Sequence, residues 1–172
     1  MSVKKILHLG NPTLYKKSNQ VDPKEFPQLQ SAITDLADTF NNFKKIHKRG
    51  RAIAAPQIGI LKRIIYLHIT TPILLINPVL ENKNREMMTL WDDCMSFPDL
   101  LVKVKRHKSC RIRFRDREWK EQVWELKDDL SELLQHEYDH LDGILAVARA
   151  VDKRSFMLRT EKKFKNLYKR KK

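Results

Sequence analysis

Leu29, Ile33, Leu36, Phe40 and Phe43 recur every three or four positions. That spacing draws one apolar stripe along a helix of about six turns. Asp22-Pro23-Lys24-Glu25 reads as its start, with Asp22 as cap, Pro23 in the first turn and Glu25 three residues after the cap. Between Arg63 and Leu126 the period shortens. Residues 64–67 and 73–76 are short apolar runs of strand character, punctuated by Thr71-Pro72 and Asn77-Pro78. Cys110, Ile112 and Phe114 alternate with Arg111, Arg113 and Arg115, which predicts a strand buried on one face, and residues 123–126 are placed to pair with it across a turn at 116–120. Helical spacing returns after Asp128-Asp129 in Leu130, Leu133, Leu134, His140, Leu141 and Ile144, predicting a long helix ending near Gly143. Residues 151–172 are rich in lysine and arginine and are expected to form a basic helix or tail. Strands set between helices, without regular βαβ alternation, predict an α+β fold with a folded unit over 1–150 and the basic segment beyond it.

Composition narrows the classes. The 172 residues suffice for one ordinary domain, and 41% hydrophobic content allows a real core. Two cysteines cannot form a disulfide scaffold, and four glycines with seven prolines exclude collagen-like chains. No apolar stretch reaches a bilayer span and the N-terminus carries no signal-peptide core, so the chain is expected to be cytoplasmic, without a membrane partner, and to keep Cys94 and Cys110 as thiols. The formal net charge of +14 points to polyanionic company without choosing it.

His136-Glu137-Tyr138-Asp139-His140 is an H-E-x-x-H pattern. On a helix, residues four apart lie one turn apart on the same face, so both imidazoles can reach one metal, with the intervening Glu beside it. A catalytic site usually adds a third protein ligand. No histidine follows His140, and Glu161 is the only acid after Asp152, so the third ligand is expected upstream. Cys94, between Asp92-Asp93 and Met95-Ser96-Phe97-Pro98, is the evident choice; Cys110 fits the buried face of its strand.

Three blocks resemble the peptide deformylases. Gly50-Arg51-Ala52-Ile53-Ala54-Ala55-Pro56-Gln57 is similar to G-x-G-(L/I)-A-A-P-Q, Asp92-Asp93-Cys94-Met95-Ser96 to E-G-C-L-S, and residues 135–143 to Q-H-E-x-D-H-L-x-G. Their order, and the interval from the cysteine block to the histidine block, also agree. The resemblance implies a long central H-E-x-x-H helix on antiparallel sheets, flanked by an N-terminal helix and, here, a basic C-terminal helix. It implies one divalent metal on Cys94, His136 and His140, with Fe(II) expected in the cell and zinc, nickel or cobalt possible substitutes. It implies that Glu137 serves as general base and acid, that the Gln57 amide and the Met95 backbone N–H stabilise the oxyanion, and that an N-formylated nascent peptide is the substrate. Gly50, the Ile53 backbone, Arg106, Leu133 and Glu132 are implied around the peptide. A ribosomal or RNA contact through residues 151–172 is the further partner expected. Two alternatives keep the fold: a divergent relative with altered substrate or little activity, and an RNA-associated binding protein.

Departures from the pattern carry their own expectations. Ala52 replaces a glycine and fits only if the backbone there needs no positive φ. Asp92 replaces Glu, with the charge kept for Arg106. Asp93 replaces a glycine and either faces the metal or turns outward. Typical members use the helix face before the first histidine for an apolar methionine pocket; here Asp129 and Glu132 stand beside Leu133. Those two acids read either as a capping box, with Asp129 as N-cap, or as an altered pocket more tolerant of polar or basic side chains.

Overall fold

The computed structural model describes residues 2–161. At the expected helix start the Glu25 carboxylate accepts from Asp22 N–H at 2.9 Å and the Asp22 carboxylate from Lys24 N–H at 2.7 Å. The helix does not follow directly. Pro27 brings no N–H and disfavours α geometry at the residue before it, so the chain runs through a 3-10 turn, Phe26–Leu29, before α1, Gln30–His47. Ile33, Leu36, Phe40 and Phe43 form its buried stripe, as the spacing predicts.

One sheet has five antiparallel strands in the order β1-β2-β3-β6-β7, namely β1 (Ala52–Ala54), β2 (Ile64–His68), β3 (Pro72–Glu81), β6 (Ser109–Arg115) and β7 (Glu121–Lys127). Both faces of its first strands are covered, which is why they read as continuous apolar runs. Ile53, Ile64, Tyr66, Leu74 and Ile76 pack against α1. Ala52, Ala54, Ile65, Leu67 and Leu75 join Cys110, Ile112 and Phe114 against Leu133, Leu134 and Leu141 of α2, Asp128–Leu141. Asn77-Pro78 was expected to end a strand. Instead β3 continues to Glu81 through an irregularity between Ile76 and Val79, with Asn77 at φ 50 and its side chain bonded to the Val21 backbone.

The second sheet has order β4-β5-β8, from β4 (Met87–Asp93), β5 (Leu100–His107) and β8 (Phe156–Leu158). It carries a third cluster, in which Leu14, Cys94, Phe97, Val102, Val104 and Leu145 meet. β8 corrects the expected basic C-terminal helix: residues 156–158 pair with 100–102 as a strand, so the sheet takes in chain beyond residue 150. Residues 162–172 of that expected helix lie outside the described residues.

α2 is clamped in register. The Gln135 amide donates to the His107 carbonyl at 2.8 Å and accepts from His107 N–H at 3.0 Å, while the Ser131 hydroxyl donates to the same carbonyl at 2.9 Å. At its far end Gly143 adopts φ 72, and a Cβ there would lie 2.6 Å from the Tyr15 backbone, so only glycine lets that segment close. The capping box expected at its start is absent: Lys127 is the N-cap, no side chain caps the helix, and Asp129 lies inside the first turn.

Candidate active site and metal centre

His136 and His140 sit one turn apart on the buried face of α2, and Cys94 closes β4 against them. Cys94 Sγ lies 3.2 Å from His140 Nε2, and the two Nε2 atoms lie 3.2 Å apart. One ligand atom from each of the three residues falls within 4.8 Å of the others, and all three side chains are buried. His136 Nδ1 is 2.9 Å from Asp92, which fixes that ring's outer nitrogen as the donor and turns its Nε2 toward the triad. The Cys94 sulfur also accepts from Ser96 N–H at 3.4 Å and from the Gln57 amide at 3.5 Å. Two ring nitrogens and a sulfur thus converge on one point as electron-pair donors. That set fits a divalent cation with an open fourth position.

The protonation of the two rings agrees. Burial opposes charge on both. At His136 the carboxylate of Asp92 and the sulfur of Cys94 outweigh it and lift the pKa well above the usual value; at His140 burial and the neighbouring His136 push it well below. One proton and one cation therefore compete for the same cluster.

Behind the three donors a chain of charges runs inward from the exposed Arg149 to the buried Asp139, Arg106 and Asp92. Arg149 binds Asp139 at 2.8 Å, Asp139 binds Arg106, Arg106 binds Asp92 at 3.1 Å, and Asp92 holds His136. The expected Asp92–Arg106 pair is present. Burial alone would raise Asp92, but His136 and Arg106 more than offset it and hold its pKa down at about 2. Arg106, expected beside the peptide, is 3% exposed and is not among the residues lining the cleft; it pairs with Asp92, which holds His136.

Glu137 is buried beside the first ligand, and its Oε2 has no hydrogen-bond partner among the described residues. Burial raises its pKa to about 7, with His136 pulling the other way, which suits a group that takes and returns a proton near neutrality. Gln57 is equally fixed: its carbonyl accepts from Ala54 N–H at 2.9 Å, so its amide nitrogen points to Ser96 at 3.2 Å and to Cys94.

A cleft of about 440 Å³ opens onto this cluster, lined by Gly50, Arg51, Ala52, Met95, Leu133 and Glu132 among others. Gly50 holds φ 107, and a Cβ there would come within 2.7 Å of Met95 Cε. Ala52 has no positive φ and lies in edge strand β1, so the loss of a glycine costs no backbone strain. The register places Ile53 opposite Tyr66, and His68 N–H donates to the Arg51 carbonyl at 2.7 Å. Antiparallel alternation then turns the peptide groups of Arg51 and Ile53 toward β2 and that of Ala52 to the open edge. Asp93 turns to Arg159 at 2.7 Å, not to the metal cluster.

Two features escape the sequence. Arg51 binds both Asp129 and, at 3.3 Å, Glu132, across spans of 78 and 81 residues. Asp92 does more than pair with Arg106, because it also orients His136; an acid two residues before the cysteine is the only local hint. Among the described residues no helix is long and apolar enough to cross a membrane.

Comparison with known proteins agrees with the geometry. The family model for polypeptide deformylase matches residues 3–156. Peptide deformylase 1 of Prochlorococcus marinus (strain MIT 9313) is 38% identical over 168 residues, covering 91% of this chain and 85% of that protein. Among solved structures, the peptide deformylase of Thermotoga maritima superposes with a TM-score of 0.79 at 27% identity, covering 88% of this chain and 100% of that one. A probable peptide deformylase from Synechococcus phage S-SSM7 gives 0.74 at 32% identity, covering 85% and 99%.

Proposed function

The chain belongs to the polypeptide deformylase family, and on that premise we propose that Cys94, His136 and His140 hold its divalent metal and that Glu137 moves the proton. It is a metal-dependent hydrolase that removes the formyl group from nascent peptides. The observation carrying the site assignment is the convergence of three buried donors beside a carboxylate whose Oε2 has no partner among the described residues.

A divalent cation held by Cys94, His136 and His140 would supply Lewis acidity, making a carbonyl more electrophilic and water more acidic. Fe(II) is our choice in the cell, with zinc, nickel and cobalt as substitutes, since one thiolate and two imidazoles suit all four. Asp92 and its partners Arg106, Asp139 and Arg149 keep His136 oriented. Glu137 accepts the proton of the attacking water and passes it to the leaving amine as the C–N bond breaks, giving formate and a free N-terminus. The Gln57 amide and the Met95 backbone N–H donate to the oxygen that gains charge; one such donor is worth about 2.7–4 kcal/mol of barrier. The peptide lies as an added strand along the free edge of β1, bonding the outward peptide group of Ala52, with Gly50 leaving room and Ile53 supporting the strand from behind.

In the cell we place the enzyme in the cytoplasm, with its positive charge favouring a ribosomal RNA contact through 151–172. Formate release from formyl-Met-Ala-Ser by anaerobically prepared, iron-loaded protein tests the reading, with Glu137→Ala as control. Release that Glu137→Ala abolishes supports it. Failure to release formate with any of the four metals, alongside RNA binding that survives Glu137→Ala, would replace it by the RNA-associated alternative.

A further inference from the structure

The formyl carbon of a bound peptide must sit at the metal cluster, and the first residue's Cα is two bonds away. Its side chain therefore enters the cleft directly beside His136. Two pieces of chain line that position. One is the entry to β1, with Gly50, Arg51 and Ala52; the other is the face of α2 one turn before His136, with Leu133 and Glu132, while Asp129, a turn earlier, acts on the cleft by holding Arg51. A Glu132 carboxylate oxygen lies within 4.8 Å of both a ring nitrogen of His136 and an oxygen of Asp92, so this surface adjoins the reacting centre.

The surface is charged. Glu132 is 5% exposed, and Arg51 is its hydrogen-bond partner, at 3.3 Å through Oε2. The same guanidinium holds Asp129, so two carboxylates share one cation. A helix-capping explanation for the acids is removed by Lys127 at the N-cap. A second cation on Asp92, Glu132 and His136 is opposed by the guanidinium groups that already occupy both carboxylates.

We propose that Arg51, Glu132 and Asp129 set the specificity of the first-residue subsite, so that a neutral hydrogen-bonding side chain of glutamine type is accepted to within about tenfold of methionine. The proposal rests on the deformylase reading of the metal cluster. An apolar side chain laid against Arg51 and Glu132 strips their remaining water and returns no hydrogen bond. A terminal amide replaces that water with both a donor and an acceptor. The methylenes of either side chain can lie on Leu133 and on the aliphatic stem of Arg51. Methionine and glutamine have nearly the same length, so chemistry rather than volume decides between them. Lys44 and Lys48, also lining the cleft, offset the excess carboxylate and favour a neutral end over a cationic one.

The test is the ratio of kcat/KM for formyl-Met-Ala-Ser and formyl-Gln-Ala-Ser, using iron-loaded full-length protein. A ratio is independent of the fraction of active enzyme. The wild-type ratio of Met to Gln should stay below about tenfold, and Arg51→Met, Asp129→Leu and Glu132→Ile combined should raise it by about 10–200-fold. Replacing all three charges leaves no orphan in the wall. Should that variant not fold, Arg51→Met alone should move the ratio the same way by a smaller factor, and Glu132→Gln should restore glutamine acceptance in place of Glu132→Ile. A wild-type preference for methionine above about tenfold, or a ratio that none of these variants moves, overturns the proposal while leaving the deformylase reading intact. Formate from neither peptide under iron, zinc, nickel or cobalt overturns both.

Discussion

At one end of the cleft Cys94, His136, His140 and Glu137 lie together, and a chain of ion pairs runs from Arg149 through Asp139, Arg106 and Asp92 to the first imidazole. At the peptide end, Gly50, Arg51 and Ala52 face Glu132 and Asp129 through a single shared guanidinium. The first region matches the family blocks almost residue for residue, and each departure there is absorbed: Asp92 still reaches both Arg106 and His136, and Asp93 is taken up by Arg159. In the second, Arg51, at the variable position of its block, binds both acids that depart from the pattern at 129 and 132. The difference teaches that ligand geometry tolerates little, because three atoms must meet at one cation, whereas a side-chain subsite can exchange apolar for polar walls if the charges compensate one another.

The comparison is broken most severely at the ligands. His140→Ala should abolish stoichiometric metal binding, read by elemental analysis after dialysis, and with it formate release. Glu137→Ala should keep the metal and lose activity by about 10²–10⁴-fold, a split that separates proton transfer from metal holding. Asp92→Asn keeps the shape but removes the carboxylate behind His136; metal affinity, measured by chelator competition, should fall about 10–100-fold. A melting curve alongside shows whether Arg106, still paired with Asp139, holds the fold.

The smallest effect belongs to the peptide end. Burial lifts Glu132 from its ordinary 4.5 to about 7 against the pull of His136 and Arg51. Between those values the unfolded chain has lost that proton and the folded chain retains it, so stability falls as pH rises through the window. Glu132→Gln removes this loss. The variant should match the wild type in denaturant unfolding near pH 4.5 and exceed it by about 1–3 kcal/mol at pH 8.

What could be read from the residues alone follows the range of each signal. The stripe of α1, the alternation at Cys110, Ile112 and Phe114, and the ligand set within residues 94–140 depend on local periodicity or contiguous motifs. They stand as read. Errors arose where a nonlocal partner overrode a local rule. Asn77-Pro78 reads as a break, but Val21 holds Asn77 so that β3 can pass through it. Asp129 and Glu132 have capping-box spacing, but Arg51 claims both. Ile53 lies in the expected block, yet the register directs its peptide group inward to Tyr66. The basic segment suggested a helix, while β5 draws residues 156–158 into a sheet.

X-ray absorption at the zinc edge of the zinc-loaded chain examines the metal assignment without relying on catalysis. One sulfur scatterer at about 2.3 Å with two imidazole nitrogens at about 2.0–2.1 Å is the expected shell. A first shell of oxygen and nitrogen without sulfur would contradict the role given to Cys94.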